Sequence, residues 1–353
     1  MTNLINYSYL PPEDLEHVYI RTAQLWENAK GKRFFITGGT GFFGIWLLET
    51  FGWINDSLNL GMQISVLTRD PMGFRERKPH LANRKDIELI EGDIQNFSFP
   101  GGKFDYLIHA ATDVSLMWRP KSARLLLDSM VGGTKNILEF AKFADVETLL
   151  FTSSGAVYGA QPPEMLEIPE DFGGAPNPLK QGSTYGIGKR VSEHLCILHG
   201  EEYGVDVKIA RCFAFIGPHL PLDGNYAIGN FLRDIVSNRP IRINGDGTPW
   251  RSYLYSADLA TWLWVILFQG RSKVAYNVGS DEGYSLKDVA EIVSCCAKAT
   301  LPPVCALEPI AGAPVQRYIP SIKRAREELG LIVNFDLADS IERTLKWLRA
   351  KYN

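Results

Sequence analysis

The stretch from Phe34 to Leu48, FFITGGTGFFGIWLL, constrains the fold of this chain more than any other. It begins with the apolar run Phe34-Phe35-Ile36-Thr37, which reads as a strand buried on both faces. Gly38, Gly41 and Gly44 follow at three-residue spacing, and Ile45-Trp46-Leu47-Leu48 then takes up the apolar spacing of a helix. A strand that turns through glycines into a helix brings backbone N–H groups and the positive helix end to one point. The pyrophosphate of a dinucleotide can sit there. Gly38 makes the tight turn, Gly41 lets the backbone approach the phosphates, and Gly44 lets helix and strand pack closely.

The rest of the chain continues this alternation. Strands are expected at Gln63–Leu67, Ile87–Ile90, Phe104–His109, Thr148–Thr152 and Val207–Ala210, with helices over Ala123–Phe143 and Ser183–Gly204. Strands alternating with helices imply a parallel sheet with right-handed crossovers, whose ligands sit beyond the carboxyl ends of the strands. Beyond Arg211 the pattern becomes irregular. Short strands near Ile241–Ile243 and Ala275–Val278 alternate with helices near Ala227–Ser237, Ala257–Phe268, Leu286–Ala297 and Ile341–Tyr352. Residues 31–210 therefore read as the sheet domain and 211–353 as a smaller lobe, interleaved through the strand near 275–278. Residues 1–30 are an N-terminal extension. Leu15, Val18, Tyr19, Leu25 and Trp26 share one face of a helix from Glu13 to Lys30, between Pro11-Pro12 and Gly31. It either packs on the sheet domain, joins an oligomer contact or covers the active site.

Composition removes several classes of function. A net charge of −3 leaves no basic field for nucleic acid or an anionic membrane. The longest apolar stretch, near Leu259–Phe268, is too short to span a bilayer and reads as a buried helix. No basic start followed by an apolar segment marks a secretory signal. Cys196, Cys212, Cys295, Cys296 and Cys305 are odd in number, lack metal spacing and read as reduced thiols of a cytoplasmic enzyme.

Two segments carry chemistry. In Ser183-Thr184-Tyr185-Gly186-Ile187-Gly188-Lys189, the tyrosine and lysine stand four apart on one helical face. A neighbouring ammonium favours the phenolate, so Lys189 is expected to lower the pKa of Tyr185 and fit it for proton transfer. In Thr152-Ser153-Ser154-Gly155-Ala156-Val157-Tyr158-Gly159, at a strand end, Ser154 could hold the reacting oxygen against Tyr185.

Together with Gly92-Asp93-Ile94, His109-Ala110-Ala111, Arg211–Pro218, Gly245–Tyr253, Tyr255–Ala260 and Tyr276–Gly279, these motifs occur in a telling order. The chain resembles, from about residue 33 to 350, the extended short-chain dehydrogenase/reductases of the NAD-dependent epimerase/dehydratase family, which modify nucleotide-linked sugars. The resemblance implies a doubly wound Rossmann-type parallel sheet with a smaller mixed α/β substrate-binding lobe. It assigns Tyr185 as acid/base, Ser154 as its helper and Lys189 as a ligand of the nicotinamide ribose. Thr37, Gly38, Thr40, Gly41, Phe42, Phe43 and Gly44 would line the cofactor's pyrophosphate. Asp93 and Ile94 would meet the adenine, Ala110 and Ala111 would leave room for the cofactor, and Thr112 would border it. Ser153, Asn230 and Phe231 would border the sugar nucleotide, and Arg251 would meet its diphosphate. No metal ligands are expected. Helices 123–143 and 184–203 resemble those that pair in a homodimer.

At the end of the second strand stands Thr68-Arg69, where an acidic residue would bond a ribose 2′-OH. Arginine pairs with a 2′-phosphate, which tilts the expectation to NADP over NAD, while Asp70 keeps NAD open. Family members that dehydrate the sugar carry an Asp-Glu pair where this chain has Gly155 and Ala156, and decarboxylating members tend to keep the Glu. Neither Gly155 nor Ala156 can move a proton. The expectation is therefore 4-keto reduction of a nucleotide-linked sugar, with 4-epimerisation as the close alternative. Dehydration, decarboxylation or catalytic silence come behind.

Overall fold

The computed structural model describes residues 9–112, 116, 121–224 and 226–352. Its centre is a seven-stranded parallel sheet. In chain order the strands are β1 (Arg33–Thr37), β2 (Gln63–Thr68), β3 (Ile87–Glu91), β4 (Tyr106–His109), β5 (Thr148–Ser154), β6 (Asp206–Cys212) and β7 (Val274–Val278). Their spatial order is β7-β6-β5-β4-β1-β2-β3. The order reverses between β1 and β4, which opens a crevice at their carboxyl ends. Each strand expected from the sequence is present, with boundaries shifted by at most two residues. The largest gain is at β6, which runs on to Cys212 while β5 continues beside it through Ser153 and Ser154.

Helices cover both faces. On one lie α1 (Pro12–Thr22), α2 (Phe42–Leu58) and the helix Ser256–Gln269, packed on Phe34, Ile36, Ile64, Val66, Ile108 and Leu150. On the other lie α3 (Ala123–Phe143) and α4 (Thr184–Tyr203), over Phe35, Leu107, Leu149, Phe151, Val207 and Ile209. The alternation of β-strand side chains thus splits each apolar run between two cores. The helix Ser256–Gln269 packs on the sheet and β7 joins it, so the chain re-enters it after leaving at Cys212. The remaining segments make three small sheets, one of which joins Tyr284–Ser285, Trp250–Arg251 and Arg317–Tyr318.

The N-terminal helix is shorter than its periodicity suggests. It ends at Thr22, where φ is −122° and the hydroxyl turns back to the Val18 carbonyl at 2.7 Å, and two 3₁₀ turns follow. Trp26, in the short connection between those turns, is fully buried against the rings of Trp264 and Phe268 at 4.6 and 4.9 Å. Polar contacts complete the dock. The Tyr255 hydroxyl donates to the Asp14 carboxylate at 2.6 Å, Arg343 approaches it at 3.0 Å, and His17 meets Asp258 at 3.0 Å. Among the open readings for this segment, packing on the sheet domain holds.

Burial raises the Asp14 pKa to about 6, against the opposing pull of Tyr255 and Arg343. A carboxyl raised in the fold binds its proton more tightly there than in the unfolded chain. Its contribution to stability is therefore full below about pH 4 and lost as pH rises through 6. The stability of the native chain minus that of Asp14→Asn is expected to fall by about 2–3 kcal/mol between pH 4 and 7, measured by urea unfolding.

Candidate active site

The glycine loop has the shape its spacing implies. Gly38 has φ +74°, and a Cβ there would lie 2.7 Å from the backbone of Ala110 and Ala111, so the loop closes on the end of β4. A Cβ on Gly44 would lie 2.3 Å from the Gly38 carbonyl, which shows how closely helix and strand meet. Only glycine fits at either place. Gly41 is the N-cap of α2 and supplies no side chain, so the first N–H groups of Phe42, Phe43 and Gly44 have no acceptor within the helix. An open cradle of N–H groups at a helix N-terminus suits a dinucleotide pyrophosphate. Thr40 lies in this turn, and the Phe43 ring packs edge-on against Phe215 at 5.1 Å.

Thr37 is fully buried. Its hydroxyl accepts from the Ala111 N–H at 3.1 Å and lies 2.9 Å from His109 Nδ1, which holds the β4 end in place. Ala110 N–H bonds the Thr37 carbonyl, and the Thr112 hydroxyl bonds the Ala111 carbonyl. Asp93 accepts the Gln95 N–H at 2.9 Å in a turn after β3. Ile94 follows it and packs against Gly133 of α3. At the end of β2, Thr68 is buried and Arg69 is the next residue. Asp70 is occupied as the N-cap of the helix Pro71–Arg77, accepting from Gly73 N–H at 2.8 Å, with Arg77 at 3.4 Å from its other oxygen.

Ser154 and Tyr185 are brought together by a close backbone approach. A Cβ on Gly186 would lie 2.4 Å from the Ala156 carbonyl, so the first turn of α4 can rest on the turn after β5 only because residue 186 is glycine. Burial raises the Tyr185 pKa, and the nearby Ser154 hydroxyl opposes part of that rise. Lys189, one turn on, is buried and donates to the Thr152 carbonyl at 2.7 Å. Its ammonium lies 6.0 Å from the centre of the Tyr185 ring.

The electrostatics of the pair differ from the sequence expectation. Burial pushes Tyr185 well above its ordinary pKa, and neighbouring Tyr318 adds to the rise. Burial also lowers Lys189 to about 8. Both groups are driven toward their neutral forms, because desolvation outweighs an attraction spread over this distance. Lys189 serves the strand end rather than the phenol oxygen in this geometry.

Of the substrate contacts expected, Arg251 fits best. It lies in the short strand Trp250–Arg251, in register with Tyr318, and its guanidinium sits 5.9 Å from that ring. Asn230 is half-buried and accepts from Arg233. The other two lie deeper. The side chain of Phe231 is buried in the main core, because it occupies the inner stripe of the helix Ala227–Val236. Ser153 alternates to the opposite face of β5 from Ser154, and its hydroxyl is buried without a hydrogen-bond partner among the described residues.

Tyr318 was missed by sequence reasoning. Its hydroxyl lies 3.4 Å from Ser154 Oγ, and its ring packs on Phe213 at 4.6 Å. Burial raises its pKa to about 12, so it is a neutral hydrogen-bonding group. Phe213 in turn fills the space beside Gly155, where a Cβ would lie 2.6 Å from its ring. No local sequence signal links residues so far apart in the chain.

A model of the NAD dependent epimerase/dehydratase family matches residues 34–279, and this chain belongs to that family. It is 29% identical over 324 residues to UDP-glucuronic acid decarboxylase 1 of Arabidopsis thaliana, covering 91% of this chain and 70% of that protein. It is 28% identical over 320 residues to UDP-glucuronic acid decarboxylase 1 of Danio rerio, covering 90% and 72%. Among solved structures it shares its fold with the Thermotoga maritima UDP-glucose 4-epimerase, at TM-score 0.75 and 20% identity over 91% of this chain and all of that one. The UDP-glucuronic acid 4-epimerase of Bacillus cereus, solved with UDP-glucuronic acid and NAD, gives TM-score 0.75 and 21% identity, again over 91% of this chain and all of that one. None of these relatives is named a reductase.

Among the described residues no helix is long and apolar enough to cross a membrane, and no cluster of side chains has the makings of a metal site. In the protein without added ligand, a lysine NMR titration is expected to show Lys189 losing its proton near pH 8, more than two units below the other lysines of ordinary pKa. A midpoint near 10.5 would contradict the burial described here.

Proposed function

We propose that this protein is a nucleotide-sugar 4-epimerase that uses Tyr185, Ser154 and Lys189 at the carboxyl end of the sheet. The observation that carries the reading is the turn after Ser154. Neither Gly155 nor Ala156 has an acid or base, and the Phe213 ring occupies the space a side chain at 155 would need. Removing water across C5 and C6 requires a group to take the C5 proton and another to protonate the leaving oxygen. Inverting C4 requires only proton transfer at the C4 oxygen together with hydride chemistry. The relatives support this reading, second in the sequence, over 4-keto reduction.

The glycine loop, Asp93, Ile94 and Lys189 would hold the dinucleotide, which when bound supplies the hydride chemistry at the sugar carbon. Tyr185 is the proton carrier at the C4 oxygen. Ser154 hydrogen-bonds the same oxygen and fixes its distance from the phenol. Tyr318, from the smaller lobe, holds Ser154 in place and screens the site from water. Arg251 takes the diphosphate through its planar fork. For the cofactor, the absence of an uncommitted carboxylate at the end of β2 and the presence of Arg69 favour NADP, while the family's name and relatives solved with NAD favour NAD. The exposed apolar side chains Leu125, Phe143, Val191 and Leu198 on α3 and α4 support a homodimer through those helices.

A second reading, loss of CO₂ from UDP-glucuronic acid, is favoured by the names of the relatives. A C4 ketone makes the C5 carboxylate a β-keto acid, which can lose CO₂ without a neighbouring carboxylate. One experiment separates the readings. UDP-glucose and UDP-glucuronic acid are incubated with NAD or NADP, and products are read by mass spectrometry and NMR. A C4-inverted sugar of unchanged mass, without net cofactor change, is the expected result, and Tyr185→Phe should lower its rate by about 10²–10⁴-fold. A pentose product with CO₂ release would establish the second reading, and a 4-keto-6-deoxy product from UDP-glucose would overturn both.

A further inference from the structure

On the α3/α4 face of the sheet, beside its β7 edge, lies a cavity of about 550 Å³ that contains none of Ser154, Tyr185, Lys189 or Arg251. Its lining carries five cationic side chains, Arg190, Arg211, Arg271, Lys273 and Arg324, against the two carboxylates of Glu170 and Glu193. Arg211 and Glu193 neutralise each other, with Arg211 gripping both carboxylate oxygens at 3.0 and 2.8 Å, and Arg324 lies 4.0 Å from Glu170. With Glu328 and Glu201 beside Arg271 and Lys273, the cations exceed the nearby carboxylates by one, and Arg190 is the one that no carboxylate faces among the described residues. Burial raises the pKa of Glu170, opposed by the Asn277 N–H at 2.9 Å and by Arg324 and Arg211.

Two of the cations are tied to backbone carbonyls. Arg190 donates through one nitrogen to the Val157 and Gly174 carbonyls at 3.1 and 2.7 Å, and Arg324 donates to the Ala275 carbonyl at 2.8 Å. A guanidinium has five N–H groups, so each fork keeps donors beyond these bonds. At the mouth, Arg271 pairs with Glu328 at 2.7 Å and Lys273 with Glu201 at 3.8 Å. Both pairs are open to solvent, and such pairs contribute about 0–1 kcal/mol, so an incoming anion can recruit these cations. Phe172, Ile197, Ile209 and Val274 add an apolar floor.

We propose that this cavity is a binding site for a small phosphorylated molecule, separate from the candidate active site. Guanidinium forks tied to backbone carbonyls, together with cations in exposed pairs at the mouth, suit a tetrahedral oxyanion carrying two or more charges. The apolar floor suits a non-ionic remainder. Arg190, Glu193, His194 and Ile197 form one stripe of α4, while Val191 and Leu198 lie on the next, so the cavity is also distinct from the exposed apolar face. It touches the catalytic elements from behind. Arg211 pairs with Ser153 in the β5–β6 register, and Arg190 follows Lys189.

The test is calorimetric titration with inorganic pyrophosphate at constant ionic strength. The native protein is compared with Arg251→Gln and with the double variant Arg271→Gln/Lys273→Gln, whose two positions are exposed. Binding that survives in Arg251→Gln and weakens at least tenfold in the double variant is expected, while turnover of the double variant without pyrophosphate stays unchanged. Arg190→Gln should weaken binding likewise. Superimposable titrations for the native protein and the double variant, or loss of all binding in Arg251→Gln, would overturn the proposal. Neither result bears on the epimerase reading, which is judged on sugar products.

Discussion

A buried chain of hydrogen bonds through His109 ties together the four elements on which the site depends. The Ala111 N–H donates to Thr37 Oγ1, which lies 2.9 Å from His109 Nδ1. His109 Nε2 is 3.1 Å from Thr134 Oγ1, and that hydroxyl donates to Ser192 Oγ at 2.9 Å. The network is consistent with a neutral imidazole protonated on Nε2. Burial and the nearby Lys189 ammonium hold the His109 pKa down at about 3, so the ring stays neutral at any ordinary pH. The links run from β1 to β4, from β4 to α3, and from α3 to α4, three residues beyond Lys189. A buried polar chain of this kind stabilises only when complete, since each orphaned group would cost about 1–3 kcal/mol. It therefore fixes where the glycine loop ends relative to where Lys189 begins.

Around that frame, short side chains do the positioning. Gly38 and Gly44 bring β1, β4 and α2 to contact distance, and Gly186 lets α4 rest on the turn after β5. The smaller lobe then closes the site from the other side, through a three-stranded sheet that sets Arg251 beside Tyr318 and Tyr318 beside Ser154. Helix Ser256–Gln269 returns to the main sheet, and the N-terminal segment is anchored on it and on Tyr255 just before it through Trp26, His17 and Asp14.

The sheet and the glycine loop were legible in the sequence because both depend on local patterns, apolar runs of strand length and glycines at fixed spacing. Tyr185 and Lys189 were legible for the same reason, as neighbours on one helical turn. What escaped depends on tertiary placement. Phe231 looked like a site residue by motif, but the helix carrying it turns that ring into the core. The pairing of Tyr318 with Ser154 spans 164 positions and rests on two-residue strands, too short to show a period. The acidity of Tyr185 was read from the charge beside it, whereas the burial of both partners decides it.

The central claim is that chemistry at this site is confined to C4, with Tyr185 moving a proton on oxygen and neither Gly155 nor Ala156 able to act at C5. The most direct measurement is to run the reaction of UDP-glucuronic acid or UDP-glucose in deuterated water and locate deuterium in the product by NMR. The account predicts a C4-inverted sugar with no deuterium on any carbon. Deuterium at C5 would show proton transfer at that carbon and contradict it.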